Sequence, residues 1–434
     1  MTRLTRRTLL GAGLAMPALV SPLAAMSGFD LRVGVILPLG GPSRPEEAAN
    51  LESIAEVARQ GAVFGEEEMQ RNGALFGHRV TLFTANAPGA EAATRAARRL
   101  VALNGVQVLV GGFTADEARA LSRVADETGA LFLNIASTSD ALREDCSAQS
   151  FHIEASAAMY LDALAGWYVR AGHRNWVVLH GADAEGQARL DRARQSLGKR
   201  HWGAKIVAEI SVFDRDFSDA LGAAFRKKPD AVLLLTDWHA QIDFLARYAA
   251  EGLTAPVVSF PEAATQTRSY YAAAMAAGRG AGAGHRATLW EPTLDAYGAR
   301  ELNARAAARW GRPMDSTGWA AYQAMKIAFD AAQFSGSTDG RAMATWLARD
   351  GSVFDLHKGI GVSFRPWDHQ LRQSLYLVSL NPQAGTGRDL ASVQDRARLV
   401  GELPAIYMPG TDPVERLGQL GDIARRGVCR SEGG

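Results

Sequence analysis

Six short segments hold the residue types that could do chemistry. Gly111-Gly112-Phe113-Thr114 ends an apolar run and opens a helical pattern, where Thr114 can cap the helix and exposed backbone N–H groups can receive a carboxylate. Ala136-Ser137-Thr138-Ser139 offers hydroxyls and a second capping position. Ordinary helix capping uses the same groups, so both uses stand. Three more segments combine aromatic, imidazole and carboxylate groups: His180 to Gly186, Thr236-Asp237-Trp238-His239, and Ser259-Phe260-Pro261-Glu262. Glu262 could pair with an ammonium group, and Trp238 could supply a flat wall or a cation–π surface. Capping by Asp237 and plain solvation of Glu262 are the competing uses. Last, His152-Ile153-Glu154 places two polar residues on one strand face, which reads as half a metal site or, more simply, a solvated strand edge.

Other chemistry is missing. Neither GxSxG, HExxH nor GxxxxGK followed by Ser or Thr occurs, so the common hydrolase, zinc-protease and nucleotide-hydrolase signatures are absent and no enzyme is expected. The run Gly278-Arg279-Gly280-Ala281-Gly282-Ala283-Gly284-His285 superficially resembles a phosphate-cradling loop. A dinucleotide fingerprint connects a strand to a helix, whereas this run follows a helix and precedes the strand pattern Arg286 to Leu289, so it reads as a flexible connection.

Short β-rich runs alternating with amphipathic stretches must position these segments, which is the pattern of parallel βαβ architecture. Strands are expected at 31–37, 79–83, 106–110 and 131–135, with helices at about 50–71, 89–103 and from Thr114. A second series starts after Phe151-His152-Ile153. Its first helix carries Tyr160, Ala163, Leu164, Trp167, Tyr168 and Ala171 in one apolar stripe, and strands follow at 176–179, 205–210, 231–235 and 256–259. Ligands in such sheets bind beyond the carboxyl ends of the strands, where five of the six segments lie. Helices at about 295–310, 316–333 and 338–348 come next, then strands at 359–364 and 374–378 joined by Arg365-Pro366-Trp367-Asp368-His369-Gln370. The tail from Asn381 has no sustained periodicity and is expected to wrap the body.

Composition sets the class. A chain of 434 residues, 47% of them hydrophobic, can fill more than one core, which excludes a disordered or disulfide-framed miniature fold. Forty-seven basic against 46 acidic residues leave +1, too little to drive nucleic-acid binding. Cys146 and Cys429 are too few and too far apart in sequence for a zinc motif, and are either one long-range disulfide or two bystanders. Residues 1–28 read as a cleaved export signal: Arg3, Arg6 and Arg7, an apolar run from Leu9 to Val20 too short to span a membrane, and small residues at Ala24 and Ala25. Thr5-Arg6-Arg7-Thr8-Leu9-Leu10 resembles the twin-arginine motif. Without residues 1–28 the balance is 44 basic against 46 acidic, or −2, in an expected periplasmic product.

The order of Val33-Gly34-Val35-Ile36-Leu37-Pro38-Leu39-Gly40-Gly41, Gly111 to Thr114, Phe132 to Ser139, and Phe151 to Ser156 resembles the type I periplasmic solute-binding proteins of ABC transporters, in the leucine/isoleucine/valine-binding branch. The resemblance covers nearly all of the chain after residue 28. It implies two doubly wound parallel-sheet lobes joined by a three-strand hinge, a Venus flytrap, with residues 29–155 plus 284–348 in lobe 1, 156–283 plus 349–385 in lobe 2, and 386–434 as a tail. It implies a small ligand between the lobes, inner-membrane permease subunits as partners, no cofactor, and a monomer. Thr114, Ala136 and Thr138, with neighbouring Phe113 and Ser137, match positions that contact a ligand carboxylate and ammonium, and Glu262 matches an ammonium partner. One departure is Ala184-Glu185-Gly186, which stands where the amino-acid binders carry an aromatic residue.

Two stretches resemble a narrower subfamily, the binding proteins encoded with pyrroloquinoline-quinone-dependent alcohol dehydrogenase systems: Tyr297 to Arg305 with Gly311-Arg312-Pro313-Met314, and Phe364 to Gln373. Such proteins end in a segment with a terminal cysteine, which implies a Cys146 to Cys429 bridge. The subfamily implies a ligand connected with alcohol oxidation, an alcohol-derived metabolite or the quinone itself, beside the amino acid that the wider family implies. A carrier of quinone cofactors or a sensory receptor without transport is the alternative. A multiply carboxylated planar quinone would want cations and aromatic faces, for which Arg143, His180, Trp238, His239, Trp290 and Trp319 are candidates.

Overall fold

Strands covered on both faces need no polar alternation, and Val108–Gly111, Leu131–Asn134 and Ala231–Leu235 are buried at every position. The computed structural model describes residues 28–39, 45–200, 203–277, 285–349, 351–381, 383–384, 387–404, 410–421 and 429. The expected export signal, apart from Gly28, and the glycine-rich run 278–284 lie outside the described residues.

The first series is β1 (Asp30–Leu37), α1 (Pro45–Ala74), β2 (Arg79–Asn86), α2 (Ala90–Asn104), β3 (Val108–Gly111), α3 (Ala115–Thr128), β4 (Leu131–Asn134), α4 (Ala141–Glu144) and β5 (Ser150–His152). Its five strands form one parallel sheet in the order β2-β1-β3-β4-β5. The second series is α5 (Ala157–Arg170), β6 (Asn175–Gly181), α6 (Ala184–Gln195), a π-helical turn at Ser196–Arg200, β7 (Lys205–Val212), α7 (Ser218–Lys227), β8 (Ala231–Leu235), α8 (Trp238–Ala250), β9 (Val257–Ser259), α9 (Arg268–Ala277) and β10 (His285–Thr288). Here β7-β6-β8-β9 form a second parallel sheet. Both orders reverse beside their first strand, between β1 and β3 and between β6 and β8, and a crevice opens at such points.

The chain then returns through α10 (Ala299–Trp310), α11 (Ser316–Ser335) and α12 (Gly340–Leu347), followed by β11 (Ser363–Phe364), β12 (Leu371–Arg372), β13 (Leu375–Leu380), α13 (Leu390–Gln394), β14 (Ala397–Leu403) and α14 (Pro413–Leu417). Helix α11 lies on α1 so closely that a Cβ added to Gly61 would sit 2.0 Å from the Gly318 carbonyl oxygen, and this contact fixes the returning helices to the first sheet. Arg305 and Arg309 of α10 reinforce the return through Glu68 and Glu67.

Three expectations differ in the structure. The tail, expected only to wrap the body, contributes a strand: β14 pairs with β13, and β13 with β10, in an antiparallel three-stranded sheet. The hairpin β11–β12 lies beside β5, with a bridge between His152 and Gln370, so the chain from 349 to about 373 sits with the first sheet and not the second. Helix α5 is buried around nearly its whole girth and not along one stripe, because β10 and the segment ending at Gly421 also cover it. The two sheets thus belong to two lobes of the Venus-flytrap architecture.

Candidate functional site

The loop after β3 shows how local sequence decides a site. Thr114 caps α3 by accepting from the Glu117 amide at 3.2 Å, and Glu117 turns back to accept from the amides of Phe113 at 3.2 Å and Gly89 at 2.8 Å. This is a capping box whose carboxylate reaches beyond its own helix. Burial raises the Glu117 pKa, against the pull of the Gly89, Phe113 and Thr114 amides. The anion position expected for a ligand at Phe113 is therefore filled by the chain itself. Thr114 stays exposed.

After β4 the same thing happens with an amide side chain. Asn134 Oδ1 accepts from the Ala136 and Ser137 amides at 3.3 and 3.0 Å, and its Nδ2 donates to the Ser137 carbonyl at 2.8 Å. Among the described residues the hydroxyls of Ser137 and Thr138 meet no hydrogen-bond partner, so they are what this loop has left to offer.

Arg143 is engaged within the protein. It is 2% exposed, and it donates to Gln370 Oε1 at 2.9 Å and to the carbonyls of Ser137, Ser139 and Glu154 at 3.0, 2.8 and 2.7 Å. Its role is to tie the β4 loop to the strand leaving β5 and to the β11–β12 hairpin. Burial pulls its pKa down to about 10. Trp290 and Trp319 likewise stack on each other with ring centres 5.3 Å apart, 1% and 0% exposed, and present no face to a ligand. Trp290 Nε1 donates to Asn303 at 3.0 Å, and the buried Lys358 ammonium lies 4.2 Å over the Trp319 ring.

The second lobe's loops are charged. Glu262, after β9, pairs at 2.6 Å with Arg189 of α6, which also pairs at 2.5 Å with Glu185 and lies 4.5 Å over the Phe260 ring. Two carboxylates therefore share one guanidinium. Burial holds the Glu262 pKa above its ordinary value, with Glu185 adding to the rise and Arg189 opposing it. Asp237 caps α8 through the amides of His239 and Ala240, and the half-buried Trp238 packs on His239 with ring centres 3.4 Å apart. His180 is buried, with Nδ1 2.8 Å from the Gly181 carbonyl. Sequence reasoning missed Arg189. The spacing Glu185-x-x-x-Arg189 was visible as a helical pair, but its third member comes from a strand end 73 residues on.

Between the lobes, His152 and Glu154 are 2% and 0% exposed, so the expected solvated strand edge is an interior seam. Glu154 Oε1 accepts from Tyr160 at 2.7 Å and from the Ala155 amide at 2.9 Å, and burial raises its pKa to about 7. Gln266 continues the seam, accepting from Tyr160, Thr288 and the Leu289 amide. Arg268 and Glu291 form a second buried pair at 2.5 Å.

This geometry has known counterparts. Residues 30–387 match the model of the family described as periplasmic binding protein. No curated protein sequence matches the chain. Among solved structures it is similar to a branched-chain amino acid ABC transporter periplasmic ligand-binding protein from Burkholderia xenovorans LB400, at 18% identity and TM-score 0.73, over 86% of this chain and 95% of that one. It is similar also to an ABC transporter substrate-binding protein from Desulfitobacterium hafniense in complex with Leu, at 16% identity and TM-score 0.69, over 86% and 100%. A solute-binding protein of an ABC transporter from R. palustris, in complex with benzoate, matches at 18% identity and TM-score 0.68, over 86% and 96%. With its two parallel-sheet lobes and a family match across most of its length, the chain belongs to the periplasmic binding proteins.

Proposed function

We propose that this protein is the substrate-binding component of an ABC transporter, which closes its lobes in the periplasm over a small ammonium-bearing ligand of the amino-acid type and presents it to inner-membrane permease subunits. The first sheet with α10 to α12 and the β11–β12 hairpin makes one jaw, and the second sheet with β10, β13 and β14 makes the other. Closure is a population shift: the ligand stabilises the closed form by as much as it binds that form better.

The observation that carries the ligand class is the pair of carboxylates, Glu185 and Glu262, around the single guanidinium of Arg189. One negative charge is left over, in a half-buried place where an ammonium would be welcome. The hydroxyls of Ser137 and Thr138 then serve the ligand's carboxylate. Solved relatives with Leu and with benzoate keep both amino acids and plain carboxylates in view, and the surplus charge favours the former. It also speaks against pyrroloquinoline quinone as the ligand. Of the two guanidiniums reached from these loops, Arg143 is saturated by oxygens of its own lobe and Arg189 is flanked by carboxylates.

Thermal unfolding against branched-chain and aromatic amino acids, benzoate and the quinone tests the reading. A ligand at 100 times its Kd adds about 2.7 kcal/mol to stability. An amino acid should raise Tm, and Glu262→Gln should weaken it at least tenfold. Because an ammonium would pull the Glu262 pKa back down, binding should tighten as pH rises above 4.5, the ordinary value. A shift with the quinone or benzoate alone, untouched by Glu262→Gln, would overturn the reading.

A further inference from the structure

Sequence spacing excluded a zinc motif, but the fold assembles three metal-ligating side chains from three distant segments. Cys146 follows α4, Cys429 is held where its amide donates to the Pro366 carbonyl at 3.1 Å, and His369 closes the β11–β12 turn. Cys146 and Cys429 are joined as a disulfide with Cα atoms 5.6 Å apart. Both sulfurs and a ring nitrogen of His369 lie within 4.8 Å of one another.

His369 is prepared as a ligand. It is 2% exposed and its ring lies parallel to Phe151 at 4.1 Å. Its Nδ1 is 3.0 Å from the Ser150 carbonyl, which can only accept, so Nδ1 carries the hydrogen and Nε2 keeps its lone pair. Nε2 is buried and has no hydrogen-bond partner among the described residues. An N–H tied to a backbone carbonyl with the opposite nitrogen free is the arrangement that orients metal-bound histidines.

We propose that the reduced form of this cluster, the thiolates of Cys146 and Cys429 with Nε2 of His369, binds a thiophilic d10 ion, copper(I) foremost, in exclusion of the disulfide. Thiolates with one imidazole select such soft ions. Three donors complete the shell of copper(I), and zinc(II) would add a water, which the half-exposed sulfurs admit. Metal–ligand bonds of about 2.0–2.3 Å put neighbouring donors about 3.5–4.0 Å apart, so the sulfurs must separate, while the imidazole is already within 4.8 Å of both. The chemistry balances. A dithiol reductant gives two electrons and two protons to the S–S bond and becomes a cyclic disulfide, and both cysteine thiols then release their protons as they coordinate; in the reverse direction a disulfide oxidant takes two electrons from the two thiolates, is itself reduced to two thiolates, and the re-formed S–S bond releases the ion.

The full chain, reduced anaerobically with a dithiol and desalted, should take up one equivalent of copper(I) in competition with a chromophoric copper(I) chelator. An ultraviolet thiolate-to-copper band should appear. Cys146→Ser and His369→Gln should each weaken binding at least tenfold, and the oxidised chain should bind none. Circular dichroism follows the fold throughout. Reduced wild type binding no more tightly than the C146S/C429S double variant would overturn the proposal, as would H369Q binding like wild type. So would a reduced chain that loses its fold and does not regain it with copper(I).

Discussion

In the first lobe, the amides after β3 and β4 are held by Glu117 and Asn134, and what is left is a pair of neutral hydroxyls on the buried Ser137 and Thr138. In the second lobe the loops after β6, β8 and β9 gather Glu185, Arg189, Glu262 and Asp237 with Trp238, His239 and Phe260. One jaw is internally satisfied, and the other carries a charge imbalance. The difference teaches where discrimination between ligands resides. Hydroxyls adapt to either donor or acceptor, whereas a surplus carboxylate selects by sign. Arg143 and Arg189, both buried, divide the same way, since Arg143 meets mostly carbonyls and Arg189 meets two carboxylates.

The largest test breaks the satisfied side. Arg143→Met leaves three carbonyls and Gln370 Oε1 without their donor in the interior, and should cost about 4 kcal/mol in urea unfolding. Unchanged stability with lost ligand affinity would return Arg143 to the ligand site. Next comes the seam between the jaws. A carboxyl whose folded pKa is about 7 against an ordinary 4.5 contributes stability that is complete below pH 4.5 and falls away as pH rises to 7, by about 3 kcal/mol. Glu154→Gln, still able to accept from Tyr160 and Ala155, should remove that slope. A difference curve between the two proteins that stays flat over this range would sink the assignment. The smallest effect is on the charged side. Because Glu262 and especially Glu185 reach solvent, Arg189→Gln should cost only about 1–2 kcal/mol while leaving or improving affinity for an ammonium-bearing ligand. A tenfold loss of that affinity would show the guanidinium, and not the carboxylates, to be the recognising group.

Much of the architecture could be read from the chain. Runs such as Ala231–Leu235 carry only apolar residues between polar helices, which is what a parallel strand covered on both faces requires, and the loop positions at strand ends follow from that. What could not be read was occupancy. Thr114-x-x-Glu117 signals a cap, but nothing in it says that the carboxylate also takes the amide of Gly89 and so closes an anion site. Arg143 and Arg189 look alike in sequence, and only tertiary neighbours separate a strut from a charge. β14 escaped notice because Ala397–Leu403 is largely exposed on an edge and carries Arg398, Gly401 and Glu402 among its apolar residues, which blurs a period of two. His369 was visible in its turn, but its chemistry appears only once residues 146 and 429 are beside it.

The bond between Cys146 and Cys429 spans a sequence separation of 283 and closes most of the chain into a covalent ring. Tension applied at the two termini would pass straight across it and never reach the second jaw. Such a stretched molecule would lengthen to about 500 Å at roughly 3.5 Å per residue, and not to about 1500 Å, until the bond is cut. The whole ligand-gripping machinery beyond residue 146 is therefore shielded from mechanical load by a single pair of sulfur atoms.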